Sequence, residues 1–335
     1  MEILFTSRNP IDHLGDHNRF YLEQELGKIA TVHQCGSGWD DPWSDKVESL
    51  QHYCDRMGIE PDWVFGSQKI DGAKNFGKVV DMHRIPYKQI RRINRQNFDL
   101  VIFNYPSCPV AHVGERNAPL VDVPSRLWFD TIKTNTAILP QSTEPSTFYP
   151  KGNNQDSMFD VAFMGDVGEG VYPLRSEFYG KLPDLAIKEG FRLLRHRRMP
   201  GKHSKMSMSK ILDENPTIYD NHLYGHVYAK ALRLSSTFIF GSSAYGYPLK
   251  RYMEAGASNV CIVADAPAMA EELGLVPWKT FIPIDKTNWS EHLMYAIDNP
   301  GERRKIARKW HDHVLKCHTS EIRAQEFLSI LETYL

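Results

Sequence analysis

Short strand-like runs alternate with helical stretches along most of the chain, and this alternation restricts the fold more than any other feature. The runs of the first half lie at residues 3–6, 30–33, 99–103 and 137–140. The pattern restarts in the second half at residues 159–164, 191–194, 237–240, 260–264 and 281–284. Strands separated by helices pair in parallel through right-handed crossovers. The sequence therefore predicts an α/β protein, with an irregular segment at residues 39–76, where three tryptophans occur.

A polar segment rich in breakers, residues 150–156, separates the two halves. The chain has 335 residues, which suits two domains of ordinary size better than one core. We expect one domain at residues 1–150, a second at 151–319, and a last helix at 320–335 that crosses back to the first domain. Two Rossmann-like domains of this kind place a ligand in a central cleft, at the carboxyl ends of their strands.

The composition argues against several classes of protein. Forty basic residues stand against 41 acidic ones, so the net charge gives no sign of a nucleic-acid partner. The five cysteines form no C-x-x-C pair, and no apolar run approaches the roughly 18 residues that span a bilayer. The N-terminus lacks the features of a signal peptide. We expect a cytoplasmic protein without a stable nucleic-acid partner, and peripheral contact with a membrane stays open.

The most informative segment runs from Phe240 to Gly256. A strand ends at Phe240, and a helix is predicted to begin at Pro248, a residue suited to the first helical position. The loop between them and the helix N-terminus suit a bound phosphate. Glu254, about two turns into that helix, could accept hydrogen bonds from both hydroxyls of a ribose, and a solvated glutamate is the alternative. The candidate loop residues are Ser242, Ser243, Ala244, Tyr245, Gly246 and Tyr247.

A second loop between a strand and a helix, residues 163–175, contains three glycines and leads into a helix that opens at Pro173. Arg175 falls in the first turn, where a guanidinium suits a diphosphate, and an ordinary surface arginine is the alternative. The glycines follow the order G-x-x-G-x-G, which differs from the dinucleotide fingerprint. With Arg197 and Arg198 after the next strand, an NADP-dependent oxidoreductase stays open as a second hypothesis.

Two further clusters of polar residues are candidates for function. His13, Asp16 and His17 follow the first strand, where a general base or a contact to acceptor hydroxyls is expected; an ordinary polar loop is the alternative. A basic run suits phosphates, an acidic acceptor or a nucleic-acid backbone, and a solvated rim is the alternative. Its members are Arg192, Arg195, Arg197, Arg198, Lys202 and Lys205. No D-x-D pattern occurs, so no metal is expected.

Several segments of the second half resemble, in the same order, those of the group 1 glycosyltransferases, specifically the spore-maturation-type branch, whose fold is GT-B. The segments are Thr147–Pro150, Phe159–Gly165 with Tyr172–Arg175, His222–Gly225 with Tyr228–Leu232, Tyr252–Ala257, and residues 299–303 and 318–323. Each is short, and their order makes the set specific. The resemblance extends from Thr147 to the end, whereas the first half matches only in outline.

The resemblance implies an enzyme that moves a hexose or pentose from a nucleotide-diphosphate sugar to a hydroxyl acceptor without a metal. The implied co-substrate is a UDP- or GDP-sugar, and the acceptor a glycan, a lipid-linked or another hydroxyl compound, in glycan or glycoconjugate synthesis. Glu254 would bind the donor ribose, and Arg175 with the loop at residues 242–246 the diphosphate. Tyr224 and Gly225 would line the base pocket, and the first domain would hold the acceptor. From their positions in the sequence, Gly165, Arg198 and Tyr247 are further candidates for the donor site, and Asp16 and His17 are the candidate catalytic residues.

One position departs from the family pattern. Many group 1 enzymes carry a second glutamate eight residues before the helical one, and Gly246 stands there in this chain. Both a retaining and an inverting reaction therefore stay open. A catalytically idle protein that binds nucleotide sugars is a third hypothesis, and a transferase acting on modified DNA bases is a narrower variant of the first.

Overall fold

A computed structural model of the chain describes residues 1–6, 17–37, 39, 42–79, 93–96, 98–104, 111–112, 120–121, 132–152, 157–168, 171–197 and 225–335. Its contacts divide the described residues into two compact units. The first unit holds those within residues 1–141 and 320–335, and the second those within residues 142–319. Among the described helices, none combines the length and the apolar character that crossing a membrane requires.

The first unit is built on a parallel sheet of six strands in the order β2-β1-β3-β4-β5-β8. Its strands are β1 (Glu2–Thr6), β2 (Thr31–Cys35), β3 (Trp63–Phe65), β4 (Lys74–Val79), β5 (Leu100–Phe103) and β8 (Asn135–Ile138). The two-residue strands β6 (Ala111–His112) and β7 (Leu120–Val121) form a separate antiparallel pair. Between these strands the described residues form the helices α1 (His17–Leu26) and α2 (Leu50–Met57).

The second unit contains a parallel sheet of five strands in the order β10-β9-β11-β12-β13. Its strands are β9 (Phe159–Gly165), β10 (Leu193–Arg197), β11 (Ser235–Phe240), β12 (Cys261–Ala264) and β13 (Ile282–Pro283). As far as this unit is described, its helices are α3 (Pro173–Glu189), α4 (Gly225–Arg233), α5 (Arg251–Ala257), α6 (Trp289–Asp298) and α7 (Pro300–Cys317). The last helix, α8 (Ser320–Tyr334), lies in the first unit.

The strands of the second sheet are apolar on both faces, which explains their continuous hydrophobic runs. Because successive side chains of a strand point to opposite faces, Val161 and Phe163 enter one core cluster, and Ala162 and Met164 enter the other. Both faces of this parallel sheet are therefore covered, as is usual for α/β proteins.

The first sheet follows the same rule. Phe5 of β1 packs in a cluster that includes Leu22 of α1 and Phe327 of α8. Leu4, one residue earlier, lies in a separate cluster with Tyr53 of α2. The last helix is therefore part of the core of the first unit.

The prediction of an irregular segment at residues 39–76 is wrong, because this segment forms α2, β3 and the first half of β4. Ser49 caps α2, and its side chain accepts a hydrogen bond from the backbone N–H of His52 at 3.2 Å. Gly58 ends the helix at φ +65°, a conformation that favours glycine. The spacing of the buried Leu50, Tyr53 and Cys54 is helical, but the polar residues around them obscure it in the sequence.

The division between the units lies between residues 141 and 142, earlier than the predicted boundary after residue 150. Phe148 is buried in a core cluster of the second unit. Arg233 of α4 donates to the Thr147 carbonyl at 3.0 Å, and its guanidinium lies 4.0 Å from the centre of the Tyr149 ring. These contacts attach the segment to the second unit, so its polar end at residues 150–156 does not mark the change of unit.

Candidate functional site

Polar and small residues follow three neighbouring strands of the second sheet at their carboxyl ends. Gly165 closes β9, Gly241 follows β11, and Asp265 follows β12. The strand order β9-β11-β12 places these three ends side by side. In open parallel sheets, ligands bind at this edge. Most of the donor residues predicted from the sequence lie there.

Helix α5, which carries Glu254, begins later than predicted. Its first residue is Arg251, and Lys250 is the N-cap. Pro248 is therefore not the first helical residue, since a turn closed by a hydrogen bond from Tyr252 N to Leu249 O at 3.1 Å leads into the helix. Glu254 consequently lies in the first turn, and its predicted position two turns into the helix is wrong.

The Glu254 side chain is buried, with 4% of the residue exposed. Its Oε1 lies 3.2 Å from the ammonium of Lys250, one turn earlier. Within the described part of the chain, Oε2 has no hydrogen-bond partner. This burial excludes the alternative of a solvated glutamate. A buried carboxylate with one paired and one open oxygen can accept hydrogen bonds from a ligand's hydroxyl groups.

Three backbone N–H groups of the loop at residues 242–246 already have acceptors within the protein. Ser242 N donates to Asp265 Oδ1 at 2.6 Å, Ala244 N to Val171 O at 2.7 Å, and Gly246 N to Ser243 O at 2.8 Å. The sequence led us to expect that backbone N–H groups of this loop hold a phosphate, but these three groups are already engaged within the protein. The hydroxyl of Ser243 is buried and has no partner among the described residues, which leaves it available to a ligand.

Asp265 orders this loop from the neighbouring strand. Its Oδ2 accepts a hydrogen bond from the Ser242 hydroxyl, in addition to the bond from Ser242 N. Its backbone carbonyl accepts a hydrogen bond from Tyr252 of α5 at 2.7 Å. Burial raises the pKa of the Asp265 carboxyl, and the hydrogen bonds from Ser242 oppose that rise. One residue therefore ties the loop to the helix of Glu254.

Gly246 has a backbone conformation that explains its identity. Its φ is +66°, in the left-handed region where side chains are disfavoured. Its carbonyl accepts a hydrogen bond from Ala268 N at 2.6 Å, which holds the loop in this shape. The rings of Tyr245 and Tyr247, on either side, are stacked with their centres 6.3 Å apart. A glutamate at residue 246 would be strained in this loop.

The guanidinium of Arg175 is held by hydrogen bonds to backbone carbonyls of the protein. Only 2% of the residue is exposed, which excludes the alternative of a surface arginine. Its Nε donates to Gly241 O at 2.6 Å, its Nη1 to Asp166 O at 3.4 Å, and its guanidinium lies 3.8 Å from the centre of the Tyr172 ring. Burial, and next the charge of Arg251, lower its pKa to about 10. Its Nη2 has no acceptor among the described residues, at a cost of about 1–3 kcal/mol.

Arg251, which the sequence analysis did not select, lies against the end of β9. Its Nη1 donates to the carbonyl of Met164. Gly165 has φ +145°, and a Cβ atom there would lie 2.5 Å from Nη1 and 2.6 Å from Nη2 of Arg251. Gly165 therefore provides the space for this guanidinium.

Tyr228 of α4 has a buried hydroxyl that is affected by the charges of Glu254, Arg251 and Arg175. Within the described residues this hydroxyl has no hydrogen-bond partner. Burial raises the pKa of Tyr228; the charge of Glu254 also raises it, and those of Arg251 and Arg175 lower it. Three buried polar groups thus have no partner among the described residues, and a bound ligand would explain them: the hydroxyls of Tyr228 and Ser243, and Nη2 of Arg175.

Other predicted site residues lie partly or wholly outside the described residues. Asp16, Arg198 and Tyr224 are outside them. His17 is the first residue of α1, and only its backbone is described. Gly225 is the first residue of α4, with φ +47°. The structure brings together Gly165, Arg175, Ser242, Ser243, Ala244, Tyr245, Gly246, Tyr247 and Glu254 in the second unit, and His17 lies in the first.

Part of the basic run is engaged within the second unit. Arg192 forms an ion pair with Asp160 at 2.8 Å. Arg195 donates to Tyr179 O at 3.0 Å and lies 4.4 Å from the centre of the Tyr179 ring. The side chains that follow, from Arg197 to Lys205, are outside the described part of the chain. These two arginines are therefore not free contacts for a polyanion.

Three residues of the site were not predicted from the sequence, although the sequence contains a signal for two of them. Asp265 directly follows a buried strand, the same position that selected Gly165. Lys250 precedes Glu254 by four residues, the spacing of a helical ion pair, although Lys250 lies just before the helix. Arg251 has no signal of its own, because its approach to Gly165 depends on the pairing of distant segments. In the part of the chain that could be searched, no group of three or more metal-ligating side chains occurs.

Comparison with solved structures identifies the fold. The chain is similar to a sucrose-phosphate synthase from Thermosynechococcus elongatus, with a TM-score of 0.64 and 12% identity over 99% of this chain and 98% of that one. A glycosyltransferase from Rickettsia africae gives a TM-score of 0.64 and 11% identity, over 99% and 98% of the two chains. HepE from Anabaena, in complex with UDP-glucose, gives 0.63 and 10%, over 99% and 100%. The fold is GT-B, and the prediction of an α/β protein with this fold is confirmed.

The sequence comparison points to the same class. Residues 197–329 match a family described as glycosyl transferase-like. No curated protein sequence matches the chain. The family match, over part of the chain, agrees with the GT-B fold in pointing to glycosyl transfer.

Proposed function

We propose that the protein transfers a sugar from a nucleotide-diphosphate sugar to a hydroxyl acceptor, with the donor bound at the carboxyl edge of the second sheet. The observation that carries the proposal is Glu254, a buried carboxylate with an open oxygen on the short helix beside that edge. The family match, which includes this helix, supports it. The solved neighbour HepE binds UDP-glucose, so UDP-sugars are the first donors to test.

In this proposal, different residues of the second unit bind different parts of the donor. Glu254 accepts hydrogen bonds from the ribose hydroxyls. The loop from Ser242 to Tyr247 lies against the diphosphate and offers the Ser243 hydroxyl. Gly165 and Arg175 shape the site, and Arg198, Tyr224 and Gly225 complete the donor pocket around the base.

The reaction joins an acceptor hydroxyl to the anomeric carbon as the bond to the nucleoside diphosphate breaks. Negative charge develops on the leaving diphosphate, and fixed positive groups that offset it lower the barrier. In this proposal the protein's own cations and hydrogen-bond donors act without a metal. Asp16 or His17 is the general base that takes the proton which the acceptor hydroxyl loses. The acceptor is a glycan or lipid-linked hydroxyl compound, and the spore-maturation-type branch is the proposed place of the chain among group 1 enzymes.

A thermal-shift panel tests the donor assignment. UDP, GDP, ADP, CMP, their common sugars and NADP are added without metal, and a ligand above its Kd raises Tm by mass action. We expect one nucleoside diphosphate and its sugar to raise Tm. In Glu254→Ala, the loss of hydrogen bonds to a charged group should weaken that ligand about 10- to 100-fold.

Glu291→Ala is the matched control, because Glu291 is an exposed glutamate in the first turn of α6. It should bind as the wild type does. Unchanged donor binding in Glu254→Ala would overturn the ribose assignment. A shift with NADP alone would favour the oxidoreductase instead.

A further inference from the structure

Arg251 is held in a specific place by the end of β9. Its Nη1 donates to the Met164 carbonyl, and the absence of a side chain at Gly165 leaves room for the whole guanidinium group. Any Cβ at residue 165 would lie within 2.9 Å of Nη1, Nη2 and Cζ. The left-handed φ of Gly165 disfavours other residues as well. The two positions therefore fit each other, although they are far apart in the sequence.

The charge of Arg251 is not neutralised by an ion pair within the described residues. The carboxylate nearest in sequence, Glu254, pairs with Lys250 instead. Both oxygens of Asp265 accept hydrogen bonds from Ser242. A second cation, Arg175, is close enough for the two positive charges to oppose each other. Two guanidinium groups placed together in this way favour a bound anion.

Arg251 and Arg175 differ in what they can still bind. Arg175 is 2% exposed and uses Nε and Nη1 on the carbonyls of Gly241 and Asp166. It therefore holds together the loops that follow β9 and β11. Arg251 is half-buried and has one hydrogen bond within the described residues, to Met164, which leaves part of its guanidinium open to a ligand.

We propose that Arg251, rather than Arg175, is the residue that binds the donor's diphosphate directly. This inference rests on the proposed function, since it names the cation that meets the leaving group in that same site. Guanidinium groups bind phosphate oxygens through paired, charge-assisted hydrogen bonds. The Ser243 hydroxyl, buried and without a partner among the described residues, is a further donor at this edge of the sheet. Gly165 acts by leaving the space that Arg251 occupies.

The test compares ligands that differ only in their phosphates. Isothermal titration calorimetry of the full chain gives Kd values for uridine, UMP and UDP, and for guanosine, GMP and GDP. In the wild type, affinity should rise from the nucleoside to the diphosphate. In Arg251→Ala we expect a loss of about 10- to 100-fold for the diphosphate, because a charge-assisted hydrogen bond is missing, with little change for the nucleoside.

Gly165→Ala is a second variant that keeps Arg251 but displaces its guanidinium, and it should show the same selective loss. Arg308→Ala, which removes an exposed arginine of α7, is the matched control and should bind as the wild type does. Undiminished binding of the diphosphate by Arg251→Ala, or an equal loss for nucleoside and diphosphate, would overturn the assignment. If the wild type binds none of the six compounds and no nucleotide of the thermal-shift panel either, the proposed function itself is contradicted, and the role of Arg251 with it.

Discussion

At the scale of single residues, the site depends on buried polar groups whose roles differ from what their sequence positions indicate. Arg175 falls in the first turn of a helix after a glycine-rich loop, a pattern that predicts a phosphate ligand. The structure instead directs its guanidinium to two backbone carbonyls. Sequence spacing indicates the correct edge of the sheet. It does not show that Arg175, more than Arg251, uses its N–H groups in hydrogen bonds to the protein's own backbone carbonyls.

Asp265 leads to a prediction about pH. Because burial raises its pKa above the ordinary 3.8, the folded state holds this proton more tightly than the unfolded state. Its contribution to stability is therefore present below about pH 4 and is lost as the pH rises through the raised pKa. The free energy of unfolding of the wild type should therefore decrease relative to that of Asp265→Asn as the pH rises from about 4 to 7. Chemical denaturation across that range measures it, and a difference that is constant or grows with pH would contradict the assignment.

At the scale of helices and strands, the packing of α7 against α5 positions Glu254. Trp310 of α7 donates from Nε1 to the Tyr252 carbonyl at 2.7 Å, and a ring nitrogen of His311 lies 2.9 Å from the Gly256 carbonyl. A Cβ at Gly256 would lie 2.6 Å from Nε1 of Trp310 and 2.7 Å from Cγ2 of Val314. The small residue at 256 therefore sets the distance between the two helices.

Gly256→Ala should destabilise the protein. Alanine favours a helix by about 1 kcal/mol over glycine, but overpacking against a buried tryptophan costs about 1–3 kcal/mol and displaces its hydrogen bond. We expect the clash to dominate, with a lower midpoint of chemical denaturation and weaker donor binding. Gly301→Ala is the matched control, since a Cβ there meets no atom within 4 Å. Equal stability of the two variants would show that α5 and α7 are not in close contact at this point.

The elements themselves could be predicted wherever their sequence pattern is simple. Apolar runs such as residues 100–103 and 261–264 are strands because they are buried on both faces of a parallel sheet. The segment at residues 39–76 was not predictable in this way, because α2 is short and its three buried residues stand among polar ones. The start of α5 was also misplaced, since Pro248 suits a first helical turn and equally a tight turn before one.

At the scale of the whole molecule, the chain begins in one unit, forms the second, and returns to the first with α8. Arg323 of this helix is buried, and its Nε donates to the Pro140 carbonyl at 3.0 Å. Phe327 packs against Phe76 with ring centres 5.5 Å apart. The first unit thus depends on the last residues of the chain as well as on the first. The donor site proposed above belongs to the second unit, and the acceptor is proposed to meet the first.

The central claim is that this chain breaks the bond between a sugar and a nucleoside diphosphate. The most direct test measures the nucleoside diphosphate released when the purified full chain is incubated with UDP- and GDP-sugars, with and without glycan acceptors. We expect release from one donor, and faster release when an acceptor is present. The rate at low donor concentration should fall about tenfold or more in Glu254→Ala and stay unchanged in Glu291→Ala. Binding of the nucleotide sugars with no release from any of them, even with acceptors present, would contradict the claim and favour a protein that only binds them.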